Sequence, residues 1–214
     1  GQPRLGAQVA VLLAAAGVGR VWCATRGSAR LAHAAPGGVS PRDEGFELGD
    51  VVRAAVARAA PEVDTTPLPL DERPDLTLLV LDGPYDEDRR AGLHADGAAH
   101  LCLTAGPDGG VVGPLVLPGL TSCLRCADLH RADRDAAWPL LAAQLRVPRR
   151  YGTSSEVACA AVISGTATAQ ALAYLDGDDP ACLDGTIEFH PPDWRLRRRT
   201  WVPHPACGCG GWAE

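Results

Sequence analysis

The sequence has 214 residues, of which 46% are hydrophobic and 21% charged, and its net charge is −6. This composition predicts one globular domain with a sizeable core. The negative charge argues against nucleic-acid binding, and we find no apolar run long enough to cross a membrane. Because disulfide frameworks belong mainly to small secreted chains, we expect a cytoplasmic protein despite its eight cysteines.

The first third of the chain is predicted to open a Rossmann-like fold. Glycines in residues 1–6 precede an apolar, alanine-rich segment at 7–17, and that order is typical of a dinucleotide-type turn that leads into a helix. Residues 21–24 are short and apolar enough for a strand. Residues 28–49 have weak periodicity and indicate a loop, while 51–60 have helical spacing.

The middle of the chain is predicted to alternate strands and helices. Residues 76–81 are almost wholly apolar, as in a strand that is buried on both faces of a parallel sheet. A helix at 86–97 and a second buried strand at 100–104 follow, before a turn at 106–110. Residues 133–145 are predicted to be helical in part.

The last third is predicted to contain a long helix and a strand pair. The helix spans 155–175 with a serine cap, and the strands at 185–190 and 194–202 are joined by a proline-rich turn. We therefore predict an α/β, Rossmann-like domain. Its sheet is expected to be mostly parallel with helices on both faces, and its C-terminal strands antiparallel.

Two cysteine pairs have the spacing of metal ligands. Cys123 and Cys126 form a CxxC motif, and Cys207 and Cys209 form a CxC motif. A structural zinc ion takes four such thiolates in a tetrahedron, and one ion would clip the end of the chain to its middle. Disulfides or a redox CxxC remain alternatives, although the first suits secreted chains and the second needs no distant partner pair.

The remaining cysteines are scattered singly in apolar surroundings, where each is expected to be a small buried hydrophobe. These are Cys23, Cys102, Cys159 and Cys182. His130 and His204 lie close in sequence to the two pairs and are candidates for contacts around the metal. Because Cys159 lies inside the predicted long helix, we assign it no catalytic role, and no other catalytic residue is predicted.

One basic stretch stands out in this acidic chain. It contains four arginines within five residues: Arg195, Arg197, Arg198 and Arg199. A solvated strand face and a binding patch are both consistent with this pattern.

Taken together, these motifs resemble the ThiF-like domain, the fold of ubiquitin-activating enzymes and of their bacterial sulfur-carrier relatives. The resemblance rests on the glycine turn, the Ala-Gly-Val-Gly sequence at 16–19, the CxxC, the long helix and the final cysteine pair. Residues 117–130 and 204–209 are most similar to the ThiF-like partner proteins of YcaO cyclodehydratases in azole and azoline peptide biosynthesis. The resemblance implies a single domain over 1–214 that lacks its first strand and any N-terminal peptide-binding region.

Active members of this family use ATP and magnesium to adenylate the C-terminus of a small carrier protein. The resemblance places Gly1 and Gly6 at the phosphate turn and Asp82 and Asp86 near the magnesium, although Asp82 also fits an ordinary turn. The sequence departs from the family pattern elsewhere: Pro3 replaces the middle glycine of the turn and cannot donate an N–H, the second strand ends without a carboxylate, and the chain contains no lysine.

The resemblance therefore implies a degenerate ThiF-like scaffold that holds zinc and presents a precursor peptide to a YcaO cyclodehydratase, and members of this fold are expected to form homodimers. One alternative is an active adenylyltransferase that acts on a small ubiquitin-like or sulfur-carrier protein. A further alternative is a zinc-stabilised oxidoreductase, in which Arg26 would favour the 2′-phosphate of NADP. No nucleic-acid or membrane partner is predicted.

Overall fold

A five-stranded mixed sheet with helices on both sides organises the chain. The computed structural model describes residues 2–69, 71–81, 87–145 and 155–210. The strands lie in the order in which they occur along the chain. They are β1 (Thr77–Val80), β2 (His100–Gly106), β3 (Gly109–Val116), β4 (Gly185–His190) and β5 (Arg195–Thr200).

The sheet is less parallel than the sequence predicted. β1 and β2 pair in parallel, whereas the other three pairings among the described strands are antiparallel. Only residues 107 and 108 separate β2 from β3, and so short a turn can join antiparallel strands alone. The prediction was wrong because burial on both faces, which is typical of parallel strands, also arises in β2 and β3 here. The strand expected at 21–24 is absent, and Arg20 makes an isolated bridge to Asp64.

The predicted helices are present with small shifts in their ends, and one helix was not predicted. They are α1 (Pro3–Ala15), α2 (Leu48–Ala59), α3 (Glu87–Ala95), α4 (Leu124–Arg134), α5 (Trp138–Leu145) and α6 (Val157–Leu175). The unpredicted helix is α4, which begins directly after Cys123. The loop predicted at 28–49 contains two short 3₁₀ turns, at Leu31–His33 and Pro41–Asp43.

The cap of α6 is an acidic residue and not the expected serine. The carboxylate of Glu156 accepts hydrogen bonds from the backbone N–H groups of Ala158 (3.0 Å) and Cys159 (2.9 Å). These bonds lower the pKa of Glu156, because they stabilise its charged form. Gly177 follows the helix with a positive φ of 85°, as expected at a C-terminus.

The core lies between α6, α1 and the sheet. Cys159, Ile163, Ala167 and Ala171 recur every fourth residue on α6 and are buried against the apolar side chains of α1, β2 and β3. Among the described helices, α6 is the one long and apolar enough to cross a membrane, which the sequence reading missed. Its buried face identifies it as the central helix of this α/β domain.

Candidate functional site

Four cysteine side chains cluster beside Val116, the last residue of β3. The Sγ atoms of Cys123 and Cys126 are 3.9 Å apart, those of Cys123 and Cys207 3.6 Å, and those of Cys126 and Cys209 3.4 Å. All four thiols lie within 4.8 Å of one another and are buried. A tetrahedral zinc ion with Zn–S bonds of 2.3 Å separates its sulfur atoms by about 3.8 Å. The thiols brought together here therefore match that ion in number, chemistry and spacing.

The first pair is presented by the start of α4. Cys123 is the N-cap residue and Cys126 lies in the first turn. The approach to the helix is fixed by two hydrogen bonds: Leu117 N–H donates to Thr121 Oγ1 (2.8 Å), and Ser122 N–H donates to an Asp184 carboxylate oxygen (2.7 Å). This pair is therefore held by contacts with both β3 and the segment that leads into β4.

The second pair lies on a tight turn that packs directly on the first. Cys207 N–H donates to His204 O (2.8 Å). Gly119 and Gly210 both have positive φ angles, of 82° and 76°. A Cβ atom on Gly210 would lie 3.5 Å from Cα of Gly119, so the two turns approach each other closely through glycine.

The thiol pair at the start of α4 is poised to hold a negative charge. The pKa of Cys123 is lowered because the Cys126 thiol and the backbone N–H groups of Cys126 and Arg125 donate towards its sulfur. The pKa of Cys126 is raised in turn, because it supplies the shared proton. A thiolate is the form that binds metal, and a helix N-terminus favours it.

The geometry also bears on the alternatives to a metal. The shortest Sγ–Sγ distance, 3.4 Å between Cys126 and Cys209, far exceeds the roughly 2.05 Å of a disulfide. The CxxC does open a helix, as redox motifs do. However, its sulfur atoms face two further buried thiols and not solvent, so a substrate disulfide has no approach to them. The arrangement favours a metal site over either alternative.

His130 and His204, the two histidines expected near the cysteine pairs, lie beside the cluster and form hydrogen bonds with neighbouring segments. His204 Nε2 donates to Asp133 (2.8 Å), while its Nδ1 accepts from Ala206 N–H (3.1 Å). His130 Nε2 donates to Val202 O (2.9 Å). A histidine that the sequence did not single out, His94 on α3, contacts Cys209 O through Nε2 (2.8 Å). Each of these contacts holds the backbone near the second cysteine pair.

The four single cysteines lie apart from the cluster. Cys102, Cys159 and Cys182 are buried, as expected, and Cys23 is half-buried. Burial raises the pKa of Cys23 and of Cys182 to about 11 and raises that of Cys159. At neutral pH these thiols are protonated and weakly nucleophilic.

Thiol titration should separate the two classes of cysteine. In the native, metal-loaded protein, we expect at most slow labelling of Cys23 by a chromogenic disulfide reagent, because the other described thiols are buried or in the cluster. A strong chelator should expose the four cluster thiols as a fast-reacting group. Labelling of all four at the same rate before and after chelation would contradict a metal in the cluster.

One glycine of the predicted phosphate turn lies among the described residues. α1 begins at Pro3, so Gly6 lies inside the helix, where a Cβ atom would make an ordinary contact with the Val80 side chain at 3.7 Å. The third glycine of a dinucleotide-type turn likewise lies in the helix, so this position is compatible with the predicted turn. Gly1, Asp82 and Asp86, the other candidate nucleotide residues, lie outside the described residues.

Two side chains at the start of α1 form hydrogen bonds to other segments of the chain. The amide of Gln2 donates to Ala105 O at the end of β2, and the guanidinium of Arg4 donates to Ser155 O just before α6. Three atoms here are buried without a hydrogen-bond partner: Gln2 Oε1, Arg4 Nε and Ser155 Oγ. The sequence analysis missed Arg4 and Ser155, although an arginine in a supposed glycine-rich turn is itself unusual.

No known protein family matches the sequence, and no curated protein is significantly similar to it. Among solved structures, E. coli MccB with MccA-N7isoASN aligns with a TM-score of 0.76 at 18% identity, over 99% of this chain and 66% of MccB. MccB with ATP aligns with a TM-score of 0.75 at 16% identity, over 98% of this chain and 64% of MccB.

The chain has the fold of MccB. A third solved structure, that of PaaA, aligns with a TM-score of 0.67 at 15% identity over 94% of this chain and 62% of that one. MccB is described as a microcin C7 biosynthetic enzyme, and one of its structures is a complex with N-formylated MccA. The chain spans 64–66% of the length of MccB in these alignments. The likeness supports the ThiF-like fold predicted from the sequence.

Proposed function

We propose that this chain is a ThiF-like scaffold that binds a precursor peptide in peptide natural-product biosynthesis and adenylates nothing. One observation carries the loss of catalysis: α1 begins with Pro3, so this helix end lacks one of the backbone N–H groups that a phosphate would need. In a Rossmann-like fold, this helix end is the place where backbone N–H groups bind phosphate. Here Pro3 has no N–H to offer, and Arg4 crosses to Ser155 O.

Among the described residues, no other cation takes over the binding of phosphate. The family resemblance implies a lysine for this role, and the chain has no lysine. Arg53 is the candidate to replace it, but it is half-exposed on α2 and pairs with Asp50 one turn away. An arginine is in any case a poor substitute for the compact ammonium of lysine. The described part of the chain thus offers weak support for phosphate binding, and the peptide-binding half of the proposal rests on the fold shared with MccB, which was solved with MccA.

The partners follow from the sequence resemblance. We propose a YcaO-type cyclodehydratase as the enzyme to which the peptide is presented, a homodimer as the working form, and the cytoplasm as its location. We also propose that Cys123, Cys126, Cys207 and Cys209 hold one zinc ion. That ion would be structural, because four thiolates complete its tetrahedron and leave no position for a reactant.

The second candidate is an active adenylyltransferase, and two observations favour it. MccB, which shares the fold, was solved with ATP. The buried Gln2 Oε1, Arg4 Nε and Ser155 Oγ lack partners, which a bound ligand would supply. In this alternative Arg4 would swing away from Ser155 and bind the ligand, which would be ATP or the carboxylate of a small carrier protein.

ATP binding tests the proposal. Calorimetry with ATP and magnesium should detect no binding to the wild-type chain, whereas E. coli MccB serves as the positive control. Arg4→Gly removes the side chain that joins the start of α1 to Ser155, and any nucleotide affinity should appear only in that variant. Arg58→Gly, at an exposed site on α2, is the matched control. ATP binding by the wild type, lost in Arg4→Gly, or ATP–pyrophosphate exchange with a carrier protein would overturn the proposal.

A further inference from the structure

β5 forms the open edge of the sheet. It pairs along its whole length with β4, and no other described residue pairs with it. Trp201 N–H donates to Asp184 O (2.8 Å), so the backbone at Trp201 faces β4. Because backbone groups alternate along an antiparallel strand, those of Leu196, Arg198 and Thr200 face away from the sheet. This row of outward N–H and C=O groups is a template for one more strand.

The same edge concentrates positive charge. All six residues of β5 are exposed, and four of them are arginines. Arg195 and Arg197 form ion pairs with Asp193, and Arg199 forms one with Glu188, so two carboxylates are shared among three arginines. Arg198 donates to the backbone carbonyls of Ala181 and Leu183. A cavity of about 190 Å³ lies among these arginines, Glu188 and His190. The whole chain carries a charge of −6, so this strand is a basic region on an acidic protein.

The basic region extends beyond the strand. Arg131 and Arg134 of α4 lie over the Trp201 ring, with guanidinium-to-centroid distances of 4.6 and 5.9 Å, and Arg199 of β5 lies over it at 5.6 Å. Arginines from two elements are thus gathered around one side of β5. Arg195, Arg197 and Arg199 share that side, because side chains alternate along a strand.

A second copy of this chain fits the edge poorly. Antiparallel pairing of two β5 strands would set arginines opposite or diagonal to arginines in every register, and like charges in these positions destabilise a sheet. An extended peptide with acidic side chains would instead make opposite-charge pairs. Charge alone also protects edge strands from aggregation, but that role does not require a further cluster of arginines on α4.

We propose that the outer edge of β5 binds an extended acidic peptide segment as a sixth strand. Its backbone pairs with Leu196, Arg198 and Thr200, and its acidic side chains lie against Arg195, Arg197 and Arg199. This surface is distinct from the N-terminus of α1, so the inference holds whether or not the chain binds ATP. It supplies a recognition surface that the proposed scaffold function leaves unassigned.

The test uses a fluorescent peptide in which glutamate alternates with threonine, with fluorescence anisotropy as the readout. We expect saturable binding at low salt that weakens as ionic strength rises. Replacing glutamate by lysine in the peptide should abolish binding. Arg197→Glu together with Arg199→Glu should weaken it at least about tenfold, whereas the paired control Arg42→Glu with Arg58→Glu, at exposed sites elsewhere, should not.

A proline substitution in β5 and an N-methylated peptide distinguish backbone pairing from simple charge attraction, because both remove backbone N–H donors. Leu196→Pro removes an N–H that faces outward and leaves the β4 ladder intact, so it should weaken binding at least about tenfold. Leu196→Ala keeps that N–H and should bind within about twofold of wild type. If Leu196→Pro fails to fold by circular dichroism, a peptide N-methylated at alternate residues makes the same test on the wild-type protein.

Three results would overturn the proposal. The first is binding of the N-methylated peptide as tightly as the unmodified one. The second is equal binding of the lysine peptide. The third is a dimer of the free protein in sedimentation that Leu196→Pro dissociates, since that result would assign the edge to a second copy of this chain.

Discussion

Replacing Cys207 with serine is expected to lower the melting temperature of the metal-loaded protein by about 6–12 °C, corresponding to a loss of about 3 kcal/mol. The thiols of Cys207 and Cys209 join the C-terminal turn to the thiols of Cys123 and Cys126 at the start of α4. Loss of one thiolate weakens the metal site, and binding free energy lost at a structural site is lost from folding. Differential scanning calorimetry together with elemental analysis, at about one zinc per chain before substitution, measures both effects.

The matched control is Cys23→Ser, which changes a half-buried cysteine outside the cluster. It should leave the zinc content unchanged and shift the melting temperature far less. Chelation of the wild-type protein should reproduce the effect of Cys207→Ser. A wild-type protein that contains no zinc as purified, or that keeps its melting temperature after complete chelation, would rule out the structural metal.

Replacing Trp201 with alanine is expected to cost about 3–5 kcal/mol of unfolding free energy. Trp201 is 1% exposed, and its indole N–H donates to Thr186 Oγ1 at 2.9 Å. The substitution leaves a cavity between β5 and α4, removes the aromatic face beneath three arginines and frees a buried hydroxyl. Urea denaturation followed by circular dichroism measures the change.

Trp22→Ala provides the comparison, because Trp22 is 47% exposed and lies in a segment that was predicted as a strand but has no regular structure. It should cost less than about 1 kcal/mol. Similar losses for the two variants would show that Trp201 does not carry the packing between β5 and α4. A larger loss for Trp201→Ala that is accompanied by lower zinc content would show that this packing also supports the cysteine site.

The features that the sequence predicted well are those that depend on residues close together in the sequence. The cysteine pairs were recognisable from intervals of three and two residues, and the structure brings all four thiols together. The β4–β5 pair was recognisable from two strand-like runs that flank a proline turn. Helix α6 was recognisable from its length and its capped start, although the capping residue is Glu156.

The features that were missed depend on how distant segments meet. Burial on both faces suggested parallel strands, but the two-residue connection between β2 and β3 imposed an antiparallel sheet. The contact of Arg4 with Ser155 joins residues 151 positions apart, and that of His94 with Cys209 joins residues 115 positions apart. No periodicity encodes either contact. The helix predicted at 7–17 begins four residues earlier, because proline is favoured in the first turn of a helix.

The cysteine cluster also constrains the order of events in folding. Its halves are contributed by residues 84 and 83 positions apart, as between Cys123 and Cys207 and between Cys126 and Cys209. Bringing such distant thiols together carries a loop-closure cost, and we expect β4 and β5 to join the sheet first. A metal at the cluster is then expected to bind late in folding. Stopped-flow kinetics should show slower unfolding of the metal-bound protein than of the chelated protein, with little difference in the refolding rate.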